Sequence, residues 1–116
     1  MRHNGDVVVL GDINPGGQVV ALGDIVVMGF LRGVVHAGAS GDHSAVVAAL
    51  RLRPTQLRIS SYVARPPEGP GDYPEYPELA MVRDGVVVVK PLAPGVLGRV
   101  LPGGPAPGEL DLPGRR

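Results

Sequence analysis

Apolar positions in the first third of the chain come in short bursts, "VVVL", "QVVAL" and "IVVM", each closed by a glycine. The runs between glycines are four to six residues long and rich in valine and isoleucine, which predicts strands rather than helices. The step Gly-Asp returns at Gly5-Asp6, Gly23-Asp24 and Gly41-Asp42, eighteen residues apart each time. Laid over one another at that interval, Val7 meets Ile25, Val9 meets Val27, Gly11 meets Gly29, Ile13 meets Leu31 and Ala21 meets Ala39. A fixed period of this kind predicts a repeat architecture. Three short strands and three corners fill one period. Stacked coils then pair each strand in parallel with its copy, about 4.8 Å away. The expected fold is all-β, a parallel β-helix or β-solenoid of about three coils. The Gly-Asp steps are then one corner visited on successive coils.

The third coil is less regular. Strict spacing puts Ala45, Val47, Ala49 and Arg51 inside. Burying an unpaired arginine is costly, so the other phase is preferred, with Val46, Ala48, Leu50 and Leu52 inside and Arg51 and Arg53 in water. A one-residue slip at "ASGDHS" would produce it. A helix capped by Asp42 or Ser44 competes for "DHSAVVAALRL". Strand is the preferred reading, because Pro54 follows quickly and "QLRIS" continues a strand pattern. Further on, Asp84-Gly85 between two apolar runs predicts a hairpin of residues 79–83 and 86–90.

Composition divides the chain. Nine of the 18 glycines lie in the first 41 residues, and eleven of the 13 prolines follow Arg65. Residues 64–78, "ARPPEGPGDYPEYPE", read as an extended loop with four acids, opened by Arg65 and preceded by Arg51, Arg53 and Arg58 with no acid between these arginines. Two solvated faces are the simpler expectation, and an acidic loop laid across an arginine face is the sharper one. Residues 93–116 are Gly/Pro-rich without a period and read as a flexible tail, so 1–92 is the expected domain.

Charge and chemistry exclude several classes. Eleven basic and eleven acidic residues balance, which gives no general pull toward nucleic acid. One Phe, three Tyr and no Trp leave few stacking platforms for single strands. Without Cys there is no thiol nucleophile, thiolate metal site or disulfide. The chain has no apolar run of signal-peptide or membrane-spanning length, and a cytoplasmic protein is expected. His3, His36 and His43 lack partners at diagnostic spacing and are expected to be solvated or at corners. One Asp per coil falls short of the six to eight oxygens a calcium ion takes. No catalytic residue, metal site or cofactor is expected. Glycines 5, 11, 17, 23, 29 and 41 also fit the six-residue grid of left-handed β-helix acyltransferases, which act as trimers, but the grid breaks at Val35. That reading and a purely structural β-solenoid polymer remain the alternatives.

"GDVVVLGDINPGGQVVALGDIVVMGFLRGVVHAGASGD", continued by "ALRLRPTQLRIS" and "MVRDGVVVVKPL", resembles the C-terminal domain of the bacterial division inhibitors of the MinC family, the septum site-determining proteins. The resemblance covers roughly residues 4–92, and "GDxNPG", "GxLRG" and "AGASGD" at these spacings make it specific. It implies a right-handed β-helix of triangular section and a homodimer. It also implies binding to the membrane-recruited ATPase MinD, delivery of inhibition to FtsZ at misplaced septa, and no catalysis. Membrane contact is then indirect, through MinD. The family also carries a separate N-terminal domain and an Arg-Ser-Gly-Gln motif upstream of the matched run. That motif does not occur in these 116 residues. Carried over to this sequence, the resemblance makes Asp12, Asn14, Gly16 and Gln18 candidate MinD contacts. Arg32 in "FLRG" becomes a candidate contact to FtsZ. The Asn14-Pro15-Gly16 step also reads simply as a turn.

The residues themselves point to a dimer face. If Val7, Val9, Ile25 and Val27 point inward, alternation sends Val8, Leu10, Val26 and Met28 outward as one apolar patch. Such a patch predicts a two-fold interface.

Overall fold

A computed structural model describes residues 2–64 and 74–92. These form ten strands and no helix: β1 (Arg2–His3), β2 (Val7–Val9), β3 (Gln18–Ala21), β4 (Ile25–Leu31), β5 (Val34–Ala37), β6 (Val47–Leu52), β7 (Gln56–Ile59), β8 (Tyr62–Ala64), β9 (Glu78–Arg83) and β10 (Val86–Pro91). Two five-stranded sheets result. Sheet A has the order β1-β3-β5-β7-β8 and sheet B the order β10-β9-β6-β4-β2.

The all-β class holds, but the expected right-handed, triangular parallel β-helix does not. Both sheets are mixed. In sheet A, β1, β3, β5 and β7 run parallel and β8 antiparallel. In sheet B, β2, β4 and β6 run parallel, whereas β9 and β10 are antiparallel. No third sheet forms among the described residues. Its place holds an isolated bridge between Ile13 and Leu31 and the pairs Phe30–Arg51 and Leu31–Leu52.

The physical reason is that the repeat does not stay constant. Val7 pairs Ile25 and Arg2 pairs Val20, at the expected interval of 18. The next pairing in sheet A, Gln18 with Val34, is offset by 16. The following ones, Ile25 with Val47 and Val34 with Gln56, are offset by 22. The expected Ala21–Ala39 match survives only as a backbone hydrogen bond of 3.0 Å, Ala39 N to Ala21 O. After Ile59 the chain reverses through Ser60-Ser61, with Ser60 at φ 56, and the later strands among the described residues pair antiparallel.

Residues 47–52 are strand, as preferred, but the preferred phase holds only at Arg51 and Leu52 and fails before them. Ala45, Val47 and Ala49 enter the main core, while Val46 and Ala48 join a second cluster on the outer face of sheet B. The four extra residues that stretch the offset from 18 to 22 are an even number, so alternation passes through "ASGDHS" unchanged. The slip comes later. Val27 pairs Ala49 but Phe30 pairs Arg51, so β6 is one residue short there. That irregularity turns Arg51 out of the core and puts Leu52 in.

One core joins the sheets: Val19, Ala21, Val35, Ala37, Leu57 and Ile59 from sheet A face Ile25, Val27, Val47, Ala49 and Ala80 from sheet B. Leu31, fully buried, closes the short side between them. The hairpin forms where expected, with Asp84 at φ 54 and Gly85 at φ 77 in a two-residue loop between Arg83 and Val86. Two consecutive positive φ values suit the twist of flanking antiparallel strands, and glycine takes the second without steric cost. The flexible tail expected at 93–116 and most of the acidic loop lie outside the described residues.

Candidate partner-binding site

The Asn14–Gly17 corner is a hydrogen-bonded turn. Gly17 N donates to Asn14 O at 2.8 Å, and Gly16 has φ 91. Pro15 fixes φ at the second position and glycine supplies the positive φ at the third, the requirements of a type II turn. Four residues separate Ile13 from Gln18 here. On the next pass only Arg32 and Gly33 separate Leu31 from Val34, although Ile13 and Leu31 are bridged. The two extra residues have no place in the stack and project. Asn14, Pro15 and Gly16 are exposed in consequence, as are Asp12 and Gln18.

Asp12 has a structural task as well. Its Oδ1 accepts the Phe30 N–H at 2.7 Å. The same device recurs at the neighbouring corner, where Asp6 Oδ1 accepts Asp24 N–H at 2.8 Å and Asp24 Oδ1 accepts Val46 N–H at 2.9 Å. Each carboxylate caps the backbone of the next pass. The third Gly-Asp step breaks the expected series. Val46, not Asp42, stands over Asp24, and Asp42 Oδ1 instead accepts Ser44 N–H at 2.9 Å and Ser44 Oγ–H at 2.6 Å. Electrostatics separate the two. Burial pushes the Asp24 carboxyl above its usual range, against the Val46 N–H, and the charges of Asp6 and Asp42 push it the same way as burial. The Ser44 hydroxyl and N–H hold the Asp42 carboxyl below its usual range.

Arg32 lies beside the turn, since its N–H donates to Ile13 O at 2.8 Å. Its guanidinium carbon sits 4.4 Å from the Phe30 ring centroid, and that of Arg53 sits 5.3 Å from the same ring. Thr55 Oγ donates to the Arg32 carbonyl at 2.8 Å. The structure thus brings Asp12, Asn14 and Arg32 together on one short side, with Gln18 opening β3. Phe30 was not singled out from sequence, and Arg53, expected in water, is half-buried against it. The signal was the lone Phe two residues before Arg32 in "FLRG".

The four apolar residues expected on one outer face are unequal. Val8 and Val26 pair across β2 and β4 as expected. Val26 is already 2% exposed within one chain, packed with Val46, Ala48 and Leu79 and flanked by Val8, Met28, Met81 and Leu92. Leu10, in contrast, is 86% exposed beyond the end of β2. The apolar face reaches across β6 and β9, further than the repeat alone indicated. Burial also pushes the Glu78 carboxyl above its usual range. His36, expected in solvent or at a corner, is half-buried with Nε2 2.8 Å from Ser60 O.

Residues 1–92 match the family described as the septum formation inhibitor MinC, C-terminal domain. This chain belongs to that family. It is 57% identical over 90 residues to a probable septum site-determining protein MinC of Heliobacterium modesticaldum, covering 78% of this chain and 31% of that protein. A second relative of the same description, from Symbiobacterium thermophilum, is 57% identical over 91 residues, covering 78% of this chain and 39% of the relative. The chain therefore spans between about a third and two fifths of these relatives' length. Among solved structures, a chain described as part of a MinC:MinD cell division protein complex from Aquifex aeolicus superposes with a TM-score of 0.73 at 43% identity, covering 78% of this chain and 76% of that one.

Proposed function

We propose that this domain is a non-enzymatic adaptor in division-site selection. It binds a MinD-type ATPase, dimerises, and directs inhibition of FtsZ assembly to misplaced septa. The observation that carries the reading is the likeness, at 43% identity and a TM-score of 0.73, to a chain described as part of a MinC:MinD complex. The projecting turn supports Asp12, Asn14, Gly16 and Gln18 as the ATPase contact. They are exposed, and the Pro15-Gly16 turn holds them rigidly, so binding costs little ordering. Arg32, stacked on Phe30 next to that turn, is the contact for FtsZ. The outer face of sheet B, with Val8, Leu10, Val26 and Met28, is the dimer interface. Recruitment to the inner membrane face is then indirect, through the ATPase.

The test is retention of the 116-residue chain by the MinD-type ATPase of the same organism, with ATP and with ADP. ATP-dependent retention is expected, and no retention with either nucleotide overturns the reading. Asn14→Ala combined with Gln18→Ala should weaken retention without changing the melting temperature. Unchanged retention of that folded double variant removes the turn from the interface.

A further inference from the structure

The outer face of sheet A is the reverse of the apolar face of sheet B. Val19, Ala21, Val35, Ala37, Leu57 and Ile59 are buried, so alternation sends Gln18, Val20, Val34, His36, Gln56 and Arg58 outward. Register then aligns them. Arg2 pairs Val20, Val20 pairs His36, His36 pairs Arg58 and Arg58 pairs Val63, giving one row across all five strands. Three of its five members are Arg2, His36 and Arg58. No outward residue of these strands is acidic. Arg2 and Arg58 are exposed. The imidazole of His36 is held in place by its contact to Ser60 O, and a carbonyl only accepts, so Nε2 carries the proton.

We propose that this row is an acceptor for an acidic surface of the ATPase partner, continuing the contact made by the Asn14–Gln18 turn. The inference rests on the function proposed above. Gln18 supplies the continuity: it ends the turn segment and is the first outward residue of β3, paired with Val34 beside the basic row. Strands about 4.8 Å apart place His36 beside Arg58, so a carboxylate drawn to the Arg58 guanidinium lies against the imidazole, which supplies packing rather than a second donor. The half-buried Val20 and Val34 make a low-dielectric floor, which strengthens ion pairs formed above it once a partner excludes water. Arginine forks favour carboxylates held in fixed geometry, and the flat, side-chain-filled sheet suits a protein surface. Anionic lipid is the competing occupant. A lipid surface is met better by many lysines around an inserted apolar edge, which this row lacks.

The experiment measures affinity of the ATP-bound ATPase for the parent chain, Arg58→Glu, Arg2→Glu and Arg58→Lys, with thermal melts as a fold control. Arg58 is exposed on β7, so reversing it leaves the core untouched. Arg58→Glu should lower affinity about tenfold or more, mainly by slowing association, Arg2→Glu less, and Arg58→Lys least. Parent binding should weaken between about 0.05 and about 0.5 M salt. Parent affinity in a folded Arg58→Glu overturns the basic row and leaves the adaptor reading standing. No binding by the parent chain overturns both. If phosphatidylserine–phosphatidylcholine vesicles without the ATPase retain the parent chain but not Arg58→Glu, the row is a lipid surface and the proposal fails.

Discussion

Sheets A and B are built by one rule and finished by opposite ones. Each begins with parallel strands joined at glycine corners, ends in antiparallel pairing, and turns valine, isoleucine, leucine and alanine toward the shared core. Their inner faces are chemically interchangeable. Their outer faces are not: sheet B shows Val8, Val26, Ala48 and Leu79 in one line, and sheet A shows Arg2, Val20, His36 and Arg58. Position on a strand decides which residues make the fold, and the chemistry of the alternate positions decides what each sheet can meet. An apolar outer row suits a second copy of the same face, and a basic one suits an acidic partner.

The largest expected effect comes from breaking what the sheets share. Leu31 is fully buried between Ile13 and Leu52 on the short side that joins them. Leu31→Ala should cost about 2–5 kcal/mol in urea denaturation. If the two sheets rest on one core, every probe should show the same single transition. Separate transitions for residues of sheets A and B would show that they are independent units.

Met28→Arg attacks only the outer face of sheet B. Met28 is half-buried at the edge of the second apolar cluster, so the monomer tolerates a charge there. Across a two-fold axis the same charge meets its copy in a poorly solvated place. Sedimentation should show a dimer for the parent chain and a folded monomer for this variant. Val26→Glu is the poorer test, because Val26 is buried within a single chain and its loss would damage the fold as well. A Met28→Arg variant that still dimerises at micromolar concentration sends the interface elsewhere.

Gly85→Val tests whether sheet B needs its antiparallel finish. A β-branched residue at φ 77 is strained, and about 1 kcal/mol or more should be lost in thermal melts. Unchanged stability would mean that β10 contributes nothing to the cooperative unit.

These sites were unequally legible in the sequence. Valine and glycine spacing identified the strands and the first stacked corner, because Gly5-Asp6 and Gly23-Asp24 keep the interval of 18. The same spacing misplaced Gly41-Asp42. An even insertion hides itself, since alternation looks the same before and after it. The phase of β6 went wrong for a related reason: one missing residue beside Phe30 let Ala49 and Leu52 both face inward, an outcome that neither uniform phase contains. The solenoid itself failed at Ser60-Ser61, where two ordinary serines reverse the chain without the glycine or proline that usually announces a turn. The projecting turn was readable from Asn-Pro-Gly alone. The basic row was not, because Arg2, His36 and Arg58 fall into one row, with Val20 between the first two, only once the offsets of 18, 16 and 22 are known.

The smallest expected effect separates the two aspartates that looked alike. Asp24 holds Val46 N–H at the corner leading into sheet B, and burial raises its carboxyl pKa above the ordinary 3.8. A carboxyl raised in the folded state binds its proton more readily there than in the unfolded chain. Its contribution to stability is therefore largest at low pH and declines as pH rises through the interval above 3.8. Asp42 has the opposite sign. Its pKa is lowered by Ser44, so its contribution is present at neutral pH and is lost as pH falls below 3.8. Asp24→Asn keeps an amide oxygen to accept Val46 N–H and removes the titration. It should change stability at pH 7 by no more than about 1 kcal/mol, in the direction of stabilisation. Chemical denaturation followed from pH 3 to pH 7 should then lose the decline assigned to Asp24. Asp42→Asn should leave that decline in place and remove the loss at the acid end. If Asp24→Asn melts well below the parent at neutral pH, the charge on Asp24 matters more to the corner than its burial costs, and the assignment of sign is wrong.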